Sequence, residues 1–184
     1  MATATTKTPE KIIGRIQHDL KGKRSRSSPL GLLEGDMGRL LFLLEYAKYS
    51  GNTKEIGLLK KELLYAFSQV EKNIHNPTFS SGLLGFLAFL DYYNCNAGEA
   101  LELDAETEKT LQYFVSGQLG NDLLQRNNYD YMIGAVAAGH YGLEQHPLAP
   151  IVFHLIDYFD TTKTETAAGI TWMEPEGLFP LAKR

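Results

Sequence analysis

The 184-residue chain has one cysteine, Cys95, and one tryptophan, Trp172. A lone thiol excludes an internal disulfide and cannot by itself make a zinc site, so a reducing, cytoplasmic compartment is the expectation. No stretch approaches the roughly 18 uninterrupted apolar residues of a membrane span, and the N-terminus, MATATTKTPE, lacks the apolar run behind positive charge that marks a signal peptide. A surplus of basic residues is missing too. The net charge is -4 and the pI is near 5.7, a poor electrostatic match to phosphate backbones, so neither nucleic acid nor membrane is an expected partner. The basic cluster from Lys21 to Arg26, KGKRSR, is too small to change this and reads as a solvated linker. Period-two alternation of Val and Ile is also scarce, which argues against sheet.

What is present is ordinary globular material. Hydrophobic residues are 43% of the chain and charged residues 22%. That suggests neither disorder nor a membrane span and leaves a single domain able to bury roughly 70% of its unfolded surface. Apolar residues recur at spacings of three and four, predicting an all-α fold. From Lys54 to Lys72, Ile56, Leu59, Leu63, Phe67 and Val70 share one stripe, as Leu111, Phe114, Val115 and Leu123 do from Glu106 to Leu124. These are helices with one wet face. Gly38–Tyr46 (GRLLFLLEY) and Gly82–Tyr93 (GLLGFLAFLDYY) are apolar almost all round and read as inner helices. Asn128–Gln145 (NYDYMIGAVAAGHYGLEQ) reads as a third, loosened or ended by Gly139 and Gly142, and Pro150–Phe159 as a further outer helix. The order suggests antiparallel hairpins in two layers. Residues 1–29 form an N-terminal helical segment and basic linker, 30–160 the hairpin repeats, and 161–184 a polar loop with an extended segment around Ile170–Met173.

Small residues recur with the inner helices. Gly35 and Gly38 (GDMG), Gly82 and Gly85 (GLLG), and Gly134 with Ala137 (GAVA) open them, and from Gly35 to Gly82 is 47 residues, from Gly82 to Gly134 52. Units of that size suit a two-helix hairpin with its loops. A glycine in a helix costs about 1 kcal/mol relative to alanine, so a recurring glycine implies a recurring need for close backbone approach.

The segments HNPTFSSGLLGFLAFLDYYN (75–94) and NYDYMIGAVAAGHY (128–141) carry Ser81, Gly82 and Gly85, then Tyr129, Asp130 and Gly134. In these positions the chain resembles the lanthionine synthetase C-like family, the lanthipeptide cyclases, with Ala137 where the family's second glycine is usual. GITWMEPE (169–176) resembles the extended segment preceding the family's catalytic half, and the likeness runs from about Leu30 to Glu176. It implies a partial α/α toroid of two concentric helical layers. It also implies an N-terminal portion only, inactive alone, because the family's zinc is held by two cysteines and a histidine of the half that is not in this chain. No Cys-His pair occurs here, and Cys95 lies between Asn94 and Asn96. No cofactor is therefore expected in this chain, and zinc is expected in the complete family member.

The family adds a peptide cysteine thiol across the double bond of a dehydrated serine or threonine. Zinc makes the thiol a thiolate, and an acid or base handles the proton. The resemblance places Asp130 at the central cavity, as a catalytic candidate that positions or protonates reacting groups. The same acid is explained equally by capping and the helix dipole, worth about 1 kcal/mol. Asp36, in what reads as the corresponding opening, favours the cap. Tyr129 reads as a packing residue. If both lay on one helix, Asp130 and His140 would be about 80° apart and nearly three turns separated, too far to act as one acid-base pair. His18, His75, His146 and His154 are scattered and read as no ligand set.

A precursor peptide or another peptide is the expected partner, together with a dehydratase, and an incomplete toroid is expected to expose apolar surface and self-associate. Two other functions fit the pattern. One is a non-catalytic helical-repeat module whose inner helices bind peptide. The other is a carbohydrate-active enzyme on an α/α toroid, with Glu34, Asp36 and Asp130 as its acids, which the single Trp172 makes the weaker fit.

Overall fold

Apolar spacing of three and four residues produces helices that bury a stripe or, where the residues are apolar all round, the whole circumference. The computed structural model describes residues 8–21, 29–70, 76–115, 126, 128–145 and 150–172. Among these are α1 (Pro9–Leu20), α2 (Asp36–Ser50), α3 (Thr53–Phe67), α4 (Leu83–Asn96), α5 (Ala105–Tyr113), α6 (Ala135–Gln145) and α7 (Pro150–Thr162). A two-stranded antiparallel sheet, β1 (Thr164–Thr166) with β2 (Gly169–Thr171), follows. The fold is all-α.

Local chemistry sets the ends. Pro9 starts α1, where a missing N–H costs nothing. Gly51 ends α2 at φ +66°, a left-handed cap that returns the chain through Asn52 into α3. Asp104 caps α5 by accepting the Thr107 N–H at 2.9 Å, and the hydrogen bonds from Thr107 hold its carboxyl below the usual carboxylate range.

The packing follows chain order. α2 lies against α4 and α4 against α6, while α3 packs on α2 and α7 on α6, and α1 also rests on α2. The three helices read as inner thus stand side by side. α4 buries Leu83, Leu84, Phe86, Leu87, Phe89, Leu90 and Tyr93, which no single stripe contains. Met37, Leu40 and Leu44 of α2 and Leu63 of α3 join them. Each such side chain is worth roughly 1.5–3 kcal/mol when fully buried. Arg39 on α2 is ion-paired with Glu62 on α3 and with Asp36 at 3.4 Å, tying that hairpin at its polar edge.

Several boundaries differ from the sequence expectation. The wet helix expected over Lys54–Lys72 stops at Phe67, and beyond Val115 the one expected to Leu124 lies outside the described residues. The third inner helix does not begin at Asn128. Residues 128–134 are loop, and α6 then runs unbroken through Gly139 and Gly142. Gly139 does not break the helix, because glycine costs only about 1 kcal/mol there relative to alanine, and the Leu155 side chain of α7 packs against it. The extended segment expected after Asp160 is present as a strand of a short hairpin. α7 extends to Thr162, and β1 pairs Thr164 with Thr171, Glu165 with Ile170 and Thr166 with Gly169. Trp172 donates its indole N–H to Phe159 O at 2.7 Å, fastening the hairpin to α7. Met173 and the rest of the tail, and most of the KGKRSR cluster, lie outside the described residues.

Candidate functional site

Each inner helix is entered through a loop of one geometry. The first helical N–H donates back seven residues, from Asp36 to Pro29 O at 3.0 Å, from Leu83 to Asn76 O at 2.8 Å and from Ala135 to Asn128 O at 2.8 Å. That bond folds the loop onto the helix start, and the glycine just before the helix makes room. A methyl on Gly35 would lie 2.5 Å from Pro29 O and one on Gly134 2.6 Å from Asn128 O, while on Gly82 it would overlap Asn76 O. One turn on, methyls at Gly38 and Gly85 would overlap Leu32 O and Phe79 O. The third loop admits the buried methyl of Ala137.

The loops are also bonded to one another at corresponding residues. Leu33, Ser80 and Met132 each stand four residues after the carbonyl that closes their loop. The Leu33 N–H donates to Ser80 O and the Ser80 N–H to Met132 O, both at 2.9 Å. Leu32 N–H adds a bond to Phe79 O at 3.1 Å, and Glu34 N–H shares Ser80 O at 2.9 Å. A main-chain ladder therefore crosses the entrances of α2, α4 and α6.

Asp130 belongs to this ladder and not to a helix. Half-buried, it accepts the N–H of Met132 at 2.7 Å and of Ile133 at 2.9 Å on Oδ1. The residue corresponding to Asp130 is Thr78 in the second loop and Gly31 in the first. Asp36 corresponds to Leu83 and Ala135, so it lies in the corresponding opening but at the helix start and not at the loop position of Asp130. Asp36 is the first residue of α2 and faces Arg39, and Glu34 is exposed on the first loop. Because Asp130 is off the helix, the angular argument separating it from His140 does not apply.

No family model, curated protein or solved structure matches this chain. What the site can do rests on its own residues.

His140 is exposed on α6, and its Nδ1 lies 2.9 Å from the Tyr131 hydroxyl. Tyr131 also packs its ring on Phe79, centroids 5.7 Å apart, so it joins the second and third loops. The pair borders a cavity of about 130 Å³ between α4 and α6, with Leu84, Ala88 and Ala137 as apolar walls and Asp91 opposite. Asp91 also borders a second cavity of about 310 Å³ running towards Leu103 and Leu111. Sequence reasoning missed Asp91 and Tyr131, whose only signal is a polar residue on an otherwise apolar inner helix and a second tyrosine in NYDY. The phenol and imidazole in contact can share a proton, Asp91 adds a carboxyl to the same cavity, and the walls accept an apolar side chain.

Tyr129 packs on Tyr158 and Phe159, centroids 6.0 and 6.1 Å away. His18 and His154 are exposed on α1 and α7, and His75 and His146 lie outside the described residues. Cys95 is exposed near the far end of α4. Among the described residues no three His, Cys, Asp or Glu side chains come together as a metal set, so these donors do not fit the family's zinc. No helix among them is long and apolar enough to cross a membrane.

Proposed function

We propose that this chain is the N-terminal portion of a lanthionine synthetase C-like cyclase, a protein that in complete form closes thioether rings by adding peptide cysteine thiols to dehydrated serine or threonine. The reading is carried by the loop ladder. Of the residues responsible for the resemblance, Ser81, Gly82, Tyr129, Asp130 and Gly134 belong to the second and third loops, and Gly85 of α4 lets the first and second loops approach its backbone. Three side-by-side inner helices with outer helices packed on them are what a partial two-layer α/α toroid requires. In this reading the ring-forming half and its zinc ligands belong to another part of the protein, and no step is routed through the metal. This chain supplies part of the inner wall, where Asp91, Tyr131 and His140 receive a segment of the precursor peptide. Asp130 holds the third loop and takes part in catalysis only in the complete enzyme. The protein works in the cytoplasm beside a dehydratase, and chains lacking the other half self-associate through apolar residues such as Phe153 and Ile156 of α7, both exposed.

The test is to express the uninterrupted reading frame containing this chain, then measure zinc content and the loss of alkylatable thiol from a dehydrated cysteine peptide. Stoichiometric zinc with loss of one thiol per ring supports the reading. A frame without a Cys and Cys-His set, or with that set and no ring formation, rejects it. In the active protein, Asp130→Asn forming rings at the wild-type rate with unchanged zinc rejects the catalytic part alone.

The second reading is a helical-repeat module that binds peptide without reaction. The cavity beside Asp91, Tyr131 and His140 favours it, since that site needs no metal. Peptide binding that His140→Ala weakens, with no chemical change in the peptide, is its signature.

A further inference from the structure

We infer that the position shared by Gly31, Thr78 and Asp130, two residues into each loop, decides how many of the two N–H groups that follow it by two and three residues are left for the neighbouring loop, and that Asp130 closes the stack at the third loop.

Each loop presents two successive N–H groups, from Leu33 and Glu34, from Ser80 and Ser81, and from Met132 and Ile133. In the first loop the shared position is Gly31, which offers no acceptor, and both N–H groups go to Ser80 O at 2.9 Å. Glycine is also required there, because a methyl would overlap Ser80 O and the Ser81 backbone. In the second loop the Thr78 hydroxyl accepts the Ser81 N–H at 3.3 Å, and only Ser80 donates outward, to Met132 O. In the third loop the Asp130 carboxylate accepts both, at 2.7 and 2.9 Å. Of these two N–H groups the neighbour therefore receives both, then one, then none as the side chain changes from hydrogen to hydroxyl to carboxylate, the Leu32 bond to Phe79 O being additional in the first loop.

The physical reason is acceptor competition. A partly buried N–H must be paired, and an acceptor built into its own loop is present without the ordering cost of a second segment. A hydroxyl offers less accepting capacity than a carboxylate, whose charge-assisted bonds are stronger. With Asp130 in place, a following loop in the same register would find neither N–H available, so the ladder ends there by its own chemistry. This inference is independent of the cyclase reading.

Amide hydrogen exchange read by NMR on the chain and its variants tests it. In the wild type, Met132 and Ile133 should be protected. Asp130→Asn retains a carboxamide oxygen and should leave both protected, whereas Asp130→Gly should lower both protection factors by about tenfold or more. Asp130→Thr copies the second loop and should release Met132 while Ile133 stays slow. Thr78→Gly copies the first loop, so the Ser81 N–H should turn to Met132 O beside that of Ser80 and both should stay protected. If Asp130→Gly does not fold, the two other loop variants decide. Unchanged protection of both amides in Asp130→Gly, equal behaviour of both in Asp130→Thr, or release of Ser81 in Thr78→Gly would overturn the inference.

Discussion

Gly85 of α4 meets Gly31 of the first loop backbone to backbone, so closely that a methyl on Gly85 would sit 2.9 Å from Gly31 Cα and 2.5 Å from Leu32 N. Backbone cannot rotate away as a side chain can. Gly85→Ala is therefore expected to destabilise by about 2–3 kcal/mol, despite the roughly 1 kcal/mol that alanine gains in a helix. Gly57 in α3 has nothing within 4 Å of an added methyl, and Gly57→Ala should stabilise by about 0.5–1 kcal/mol. Denaturant midpoints of the two variants moving in the same direction would refute this account of the recurring glycines.

Tyr93 is fully buried in α4 and its hydroxyl has no hydrogen-bond partner among the described residues. Tyr93→Phe removes an unsatisfied group and should raise stability by about 1 kcal/mol in thermal or denaturant unfolding.

The same hydroxyl makes a pH prediction. Burial pushes its pKa up, with Lys60 opposing and Glu99 reinforcing the shift. The folded state therefore holds the Tyr93 proton more tightly than the unfolded state does. Stability is unaffected by this group below the ordinary tyrosine value of about 10 and falls as pH rises through it. Alkaline unfolding should be shallower in Tyr93→Phe than in the wild type, and identical profiles would contradict the shift.

Arg39 has a side chain only 9% exposed, held by Asp36 and Glu62. Removing Glu62 leaves much of that charge uncompensated. Glu62→Ala is expected to cost about 1–2 kcal/mol, and the double variant Arg39→Met with Glu62→Ala less than Glu62→Ala alone, because the charge itself has gone. Urea melts of the three proteins check the order.

Cys95 is exposed, and the described residues bring no metal set together. Zinc measured on the dialysed chain should be far below one ion per molecule. A thiol reagent should titrate Cys95 in the native protein equally fast with and without added zinc, and zinc-dependent protection would show ligation.

The periodicity of apolar residues was enough to read the helices, and the small-residue pairs were enough to mark the three entrances. The loops were harder to see. Tyr131, Met132 and Ile133 continue an apolar pattern into α6, so the sequence reads as one helix from Asn128, whereas Met132 in fact serves the second loop through its carbonyl. What recurs in the three openings is main-chain geometry, and the residues at one loop position, Gly31, Thr78 and Asp130, are chemically unlike. Gly139 reads as a breaker from helix propensity, yet a cost of about 1 kcal/mol is too small to end a packed helix. Asp91 and Tyr131 gain significance only once α4 and α6 stand side by side, a relationship no local pattern encodes.

The ladder also has consequences for the order of assembly. Its bonds join Leu33 to Ser80 and Ser80 to Met132, so each must close a long span of chain, whereas α2 and α3 meet across the tight turn at Gly51 and Asn52. Closing long spans costs entropy before any contact repays it. Helical hairpins should therefore form early, as separate mobile pieces, with the stacked loops the last element to zip together and the first to part.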